Sequence, residues 1–502
     1  VTFAFDNTYA RLPPRFFAPI APTKVRAPRV VMVNRALAAE LGLDAAVLAS
    51  PAGADVLAGN AVPDGAEPIA LAYAGHQFGH FVPQLGDGRA ILLGEILAKD
   101  GRRFDVQLKG SGRTPFSRGG DGRAALGPVL REYIVSEAMA AMGVPTTRSL
   151  AAALTGETVL RDEALPGAVL TRVAASHLRV GTFQYFAVRR DREALATLAS
   201  YALRRHYGDA AGEATSGPPA DAARAARDAL RLLDRVVHAQ AQLVARWLGI
   251  GFVHGVMNTD NTSIAGETID YGPCAFLDEY DPDKKFSSID HGGRYAFSNQ
   301  PRIAQWNLAR LAEALLPLLA DDEEDAVRLA TGRLESFQAI FEPAYARIMR
   351  DKLGLEREEE DDLALAGSLL GRMAHGGVDY TVLFRRLCAA AEEPAEDERI
   401  AALFPEPGVF LEWSQAWRRR LATETRTPAA RAAAMRLVNP AFIPRNHRIA
   451  QAIEAAATRD DFEPFETLVR VLARPYDDQP EHAYLAEPPR PEERVQQTFC
   501  GT

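Results

Sequence analysis

Cysteine is scarce: Cys274, Cys388 and Cys500 are three in 502 residues, too few for a disulfide framework. The fold is therefore expected to hold without bridges and to suit a reducing compartment. No stretch approaches the roughly 18 apolar residues of a membrane span, and the N-terminal segment has no basic stretch leading into an apolar one, so no secretory signal is visible. Strong charge of one sign is also missing. The 57 basic and 66 acidic side chains are mixed along the chain and leave a net charge of -9, which argues against a broad positive field for nucleic acid. These absences point to a soluble protein, cytoplasmic in a bacterium, with neither nucleic acid nor membrane as partner. What is present is 47% hydrophobic and 25% charged residues, an ordinary globular makeup in a chain too long for one core.

Hydrophobic periodicity divides the chain. Residues 1–65 are Pro- and Ala-rich with one helical pattern at 34–43, and they read as an N-terminal extension that wraps a core rather than forming one. Two β-type runs, RAILLGEIL at 89–97 and RFDVQLK at 103–109, are joined by a turn at Lys99-Asp100-Gly101 and predict a hairpin. A helix is expected over 126–142, stopped by Gly143-Val144-Pro145, then strands at 147–153 and 168–173. Beyond residue 191 helical patterns dominate, at 194–207, 221–247, 302–319 and 325–353. Between them, 251–276 is β-like and dense in Asn, Asp and Gly. The acidic run 356–362 reads as a solvated helix start, residues 208–220 as a loop insertion, and the tail after 477 as extended or mobile. No internal repeat is visible.

Several segments carry chemistry. Gly86-Asp87-Gly88-Arg89 precedes the first strong strand, where glycines let backbone approach a ligand and an arginine can reach phosphate; alone it reads first as a structural turn. Lys109 ends the second strand. Paired with a helix glutamate, such a lysine holds ATP phosphates in kinase-type sites, and Glu132 is better placed for it than Glu137. Residues 110–123 hold five glycines and three arginines before a helix, an anion-site composition that includes Asp121 and Gly122. Arg172 and Arg179 are further candidate cations, each with a surface role as the alternative.

His254 to Asn261 has the spacing of a kinase catalytic loop, and Asp270-Tyr271-Gly272 stands where a kinase has its metal-binding D-F-G. Oxygen ligands from Asn261 and Asp270 suit Mg2+ or Mn2+. The catalytic aspartate of that loop is replaced by Val256, which cannot accept a proton, so Asp260 becomes the nearest candidate base. His76 and His80 favour packing over zinc because Gly75 and Gly79 oppose a helix. The acidic cluster at 278–283 lacks the calcium-loop pattern.

Taken in order, YAGHQFGHFVPQLGDGRAILLGE, LKGSGRTPFSRGGDGRAAL, PTTRSLA, HLRVGTFQ, GFVHGVMNTDNTSI and DYGPCAFLDEYDP resemble the selenoprotein O family, the YdiU group, over about residues 70 to 350. The resemblance implies an α+β, protein-kinase-like bilobal fold that binds ATP in a flipped orientation and transfers AMP to protein hydroxyls. It implies nucleotide contacts at Gly86, Gly88, Arg89, Lys109, Asp121, Gly122, Arg172 and Arg179, with Glu132 positioning Lys109. Metal ligands fall on Asn261 and Asp270, and the proton acceptor on Asp260. Expected partners are proteins with hydroxyl side chains, the chain itself among them. The expected parts are an extension (1–65), a mixed β/α N-lobe (66–175), a mostly helical C-lobe (176–350), a helical region (351–485) and a tail with Cys500 (486–502). Two readings compete: an atypical kinase moving the γ-phosphate, and an ATP-binding module without turnover.

Overall fold

The computed structural model describes residues 3–208, 219 and 221–498. Cys500 and most of the 208–220 insertion lie outside them. Among the described residues, no helix is long and apolar enough to cross a membrane.

Strands crowd the first third of the chain: β1 (Phe17–Pro19), β2 (Arg29–Val33), β3 (Ile69–Leu71), β4 (Gly75–Gln77), β5 (His80–Val82), β6 (Ala90–Leu97), β7 (Arg103–Lys109), β8 (Ala124–Ala125), β9 (Arg148–Leu160) and β10 (Ala164–Ala174). Seven of them form an antiparallel sheet in the order β1-β3-β6-β7-β10-β9-β2, with β8 paired to β10, while β4 and β5 make a separate hairpin. β6 is buried along nearly its whole length, which is why RAILLGEIL is an almost unbroken apolar run. Gly101, at φ +84°, closes its turn to β7.

Alternation of side chains across the strands sorts two cores. Val106, Leu108, Leu150, Val169 and Val173 face three short helices, α1 (Arg35–Glu40), α2 (Ala45–Leu48) and α3 (Pro51–Leu57), through Leu37, Leu48 and Leu57. Each such buried leucine contributes about 1.5–3 kcal/mol. The opposite face, with Leu92, Ala152 and Leu170, packs on α4 (Leu126–Ala141). Gln107 and Lys109 alternate with Val106 and Leu108, so the same periodicity that builds the core turns those two polar side chains toward α4.

The remainder is largely helical: α5 (Val180–Val188), α6 (Arg192–Tyr207), α7 (Ala222–Gly249), α8 (Gln300–Leu319), α9 (Glu323–Leu334), α10 (Ser336–Leu353), and seven more helices between Asp362 and Leu472. In α7, Leu232, Leu233, Val236, Val237, Ala241 and Val244 are buried at helical spacing, and α6, α8 and α10 cover them. A small strand pair, β11 (Phe252–Val253) and β12 (Ala275–Phe276), brackets the polar loops between α7 and α8.

Five expectations change. Residues 1–65, expected to wrap a core rather than form one, supply one side of a core through Leu37, Leu48 and Leu57 and both outer strands of the sheet through residues 17–33. The strands expected at 147–153 and 168–173 extend into a long hairpin, because Leu160 pairs with Ala164 beyond the apolar stretch. The helix expected over 325–353 is two, parted at Glu335 beside the weak helix formers Gly332 and Ser336. The tail after 477 is held down: Arg494 pairs with Glu279, and the Thr498 hydroxyl donates to the Pro273 carbonyl at 2.7 Å. The acidic run is also only partly solvated, since Asp362 is buried against Arg420 at 2.7 Å.

Candidate active site

β7, α4 and β10 converge on Asp270. Lys109 Nζ lies 2.6 Å from Glu132 Oε2 and 2.9 Å from Asp270 Oδ1. Arg172 pairs across the sheet with Gln107, whose Oε1 accepts from its Nε and Nη2 at 3.2 and 2.6 Å. Its Nη1 reaches Asp270 Oδ1 at 2.6 Å and Glu132 Oε1 at 3.3 Å. Arg179, at the entry to α5, stacks on Tyr73 and donates to Asp270 Oδ2 at 2.5 Å. Burial alone would raise the Asp270 pKa, yet Arg179, Lys109 and Arg172 hold it well below the usual carboxylate range. Asp270 also sits at φ +61°, a conformation most side chains avoid. Glu137, the alternative partner of Lys109, instead binds Arg148 at 2.7 Å.

Asp260 meets a different environment. It sits in a 3-10 turn, Thr259–Asn261, and is buried. Its Oδ2 accepts from Gln77 Nε2 at 3.2 Å, while Oδ1 is buried with no partner. Burial raises its pKa to about 6 against the opposing charge of Arg179. Asn261 Nδ2 donates to the Val256 carbonyl at 3.1 Å, and the residue lines the cavity. His254 Nε2 lies 2.9 Å from the Ile269 carbonyl and ties the two loops together.

All twelve residues singled out from the sequence line one cavity of about 800 Å³, a size typical of small-molecule sites. The glycine-rich loops pack on each other: a Cβ on Gly86 would lie 2.3 Å from the Phe116 ring, and one on Gly122 would lie 2.1 Å from the Gly112 carbonyl. Gly88 fits closely against Phe116 in the same way. These glycines thus serve loop-to-loop contact. Arg89, Arg113, Arg118 and Arg123 line the same space. Asp121 is engaged by Arg161 through both carboxylate oxygens, at 2.9 and 3.2 Å.

Three lining residues were missed. Arg161 stands near the tip of the β9–β10 hairpin, where no local pattern marks it. Asp87, buried with its pKa raised to about 6 by burial, accepts from Gln107 at 3.1 Å; the acid within GDGR was the available signal. Gln77 stood between the two histidines that drew attention. His76 itself contacts Gln184 Nε2 through Nδ1 at 2.8 Å, and His80 is exposed on β5.

Among the described residues, no three His, Cys, Asp or Glu side chains cluster as a metal cage. One carboxylate and one amide oxygen facing a cavity are instead the donor set that suits Mg2+ carrying water and substrate phosphates. In the acidic cluster, Asp278 pairs with Arg445 at 2.6 Å.

Comparison with known proteins supplies the context for this geometry. The family described as "Protein adenylyltransferase SelO" matches residues 1–473. A "Protein nucleotidyltransferase YdiU" of Bradyrhizobium sp. strain BTAi1 is 62% identical over 502 residues, covering 100% of both chains. Proteins of the same name are 61% identical in Methylorubrum populi, over 100% of this chain and 99% of that one, and 59% identical in Bradyrhizobium diazoefficiens, over 100% of both.

Proposed function

The chain belongs to the SelO family of protein adenylyltransferases, and from that premise we propose that its cavity binds ATP with Mg2+ or Mn2+ and delivers AMP to a Ser, Thr or Tyr hydroxyl of a protein, with Asp260 as the base. The observation that carries the assignment is the Asp260 carboxylate: buried, with one oxygen lacking a partner, beside a valine where a kinase would keep its own base. An under-solvated carboxylate binds a proton more readily and titrates near the pH at which general bases work best.

Asn261 and Asp270 would hold the metal, which would supply charge neutralisation on the phosphates. Lys109, positioned by Glu132, and the arginines of the second glycine loop bind phosphate oxygens, and Gly86, Gly88, Arg89, Asp121 and Gly122 frame the nucleotide. Arg172 and Arg179 act through Asp270, whose carboxylate both engage. The acceptor oxygen attacks the α-phosphorus as its proton passes to Asp260. The bond from that phosphorus to the bridging oxygen breaks, and pyrophosphate leaves with the electron pair. Charge stabilisation by fixed cations supplies most of the rate.

This reading goes with a kinase-like arrangement of an N-lobe over 66–175 and a C-lobe over 176–350, with the flanking regions as accessory parts. The order Lys109, Glu132, Asn261, Asp270 supports it. Two parallel reactions with ATP labelled at the α- or the γ-phosphate test the chemistry. Label on protein from the α position alone is expected; label from the γ position alone would sink the proposal in favour of a kinase. Loss of transfer in Asp260→Asn with ATP binding intact is the expected sign of the base.

A further inference from the structure

The β4–β5 hairpin grips the loop that carries Asp260. Its backbone is fastened at two points: His76 N donates to Thr259 Oγ1 at 2.7 Å, and Phe78 N donates to Asn258 Oδ1 at 3.0 Å. Side chains alternate along the short β4 strand. His76 turns toward Gln184 and Trp306. Gly75 and Gln77 share the other face and meet the carboxylate itself.

Each of the two addresses one oxygen. A Cβ on Gly75 would lie 2.5 Å from Asp260 Oδ1, so the strand closes on that oxygen by shape. Gln77 Nε2 donates to Oδ2 at 3.2 Å, and Gln77 lines the cavity. Because the backbone bonds already dock the hairpin, the Gln77 amide is not needed for docking. Its contact fixes the rotation of a carboxylate that has no other anchor at Oδ1.

We infer that Gln77 is a positioning residue for AMP transfer, orienting the Asp260 carboxylate toward the acceptor hydroxyl through its side-chain amide. The inference rests on Asp260 as the base. The amide donor holds one carboxylate oxygen, so removing it loosens the aim of the carboxylate at the acceptor hydroxyl. A misaimed catalytic group costs turnover rather than nucleotide binding.

Gln77→Leu and Gln77→Met keep the side-chain volume and remove the donor. The split between kcat and KM for AMP transfer, with ATP binding and thermal melting measured alongside, tests the role. In both folded variants kcat is expected to fall about tenfold with KM for ATP within about twofold of wild type. His80→Ala, on the exposed strand of the same hairpin, is expected to keep wild-type values. An unchanged kcat, or a loss seen only as a raised KM for ATP, would overturn the positioning role. Full activity in Asp260→Asn would overturn the base assignment, whatever the Gln77 variants do.

Discussion

Asp260 and Asp270 stand on neighbouring loops between β11 and β12, and their surroundings treat the same side chain in opposite ways. Asp270 faces three cations, Lys109, Arg172 and Arg179, and stays ionised far below neutral pH. Asp260 has one amide donor and an unpartnered oxygen, and burial lifts it to about 6. Paired acids with proton affinities pushed apart mark a division of labour. The permanently charged one suits a metal ion; the titratable one suits a moving proton.

The strongest way to break this comparison is at Asp270. Asp270→Asn removes the charge that balances three cations, and AMP transfer is expected to fall by about 10⁴-fold with loss of ATP binding, read by α-labelled ATP and calorimetry. Asp260→Asn is expected to cost about 10²- to 10³-fold in kcat while ATP affinity survives. If both variants lose binding equally, the division of labour is wrong. Wild-type pH dependence sharpens it further. Asp260 acts deprotonated and its pKa is raised, so kcat/KM should fall as pH drops through about 6, reaching about a tenfold loss at pH 5. ATP binding through Asp270 should hold over the same interval. The smallest effect belongs to a third, more exposed aspartate. Arg161→Ala frees Asp121 toward the phosphates, and KM for ATP is expected to rise about two- to fivefold with kcat little changed, since exposed ion pairs contribute at most about 1 kcal/mol.

Much of this site was readable before any coordinates, because its parts follow from local rules. Alternation in RFDVQLK puts Lys109 on the α4 face, helix phase selects Glu132 over Glu137, and the spacing from His254 to Asn261 survives in a single loop. What was not readable depends on distant partners. Arg161 reaches Asp121 only because β9 and β10 run past their apolar stretches. Arg172 reads as a cation for phosphate, yet its guanidinium engages Gln107, Glu132 and Asp270. Nor could composition reveal that a Pro- and Glu-rich tail would seat Thr498 against Pro273, since that bond joins segments more than two hundred residues apart. Periodicity reports which face is buried, not which partner covers it.

The outer strands of the large sheet come from residues 17–33, and this sets a schedule for the ribosome. β1 waits for Leu71, and β2 cannot pair until its partner strand up to Leu154 has emerged, about 125 residues after Arg29, or roughly 6 to 25 s of synthesis. During that delay the first strands made are unpaired polypeptide on a growing chain. Both edge strands therefore wait on partners translated after them, and slowing elongation between residues 71 and 154 would lengthen the interval in which β2 stays unpaired.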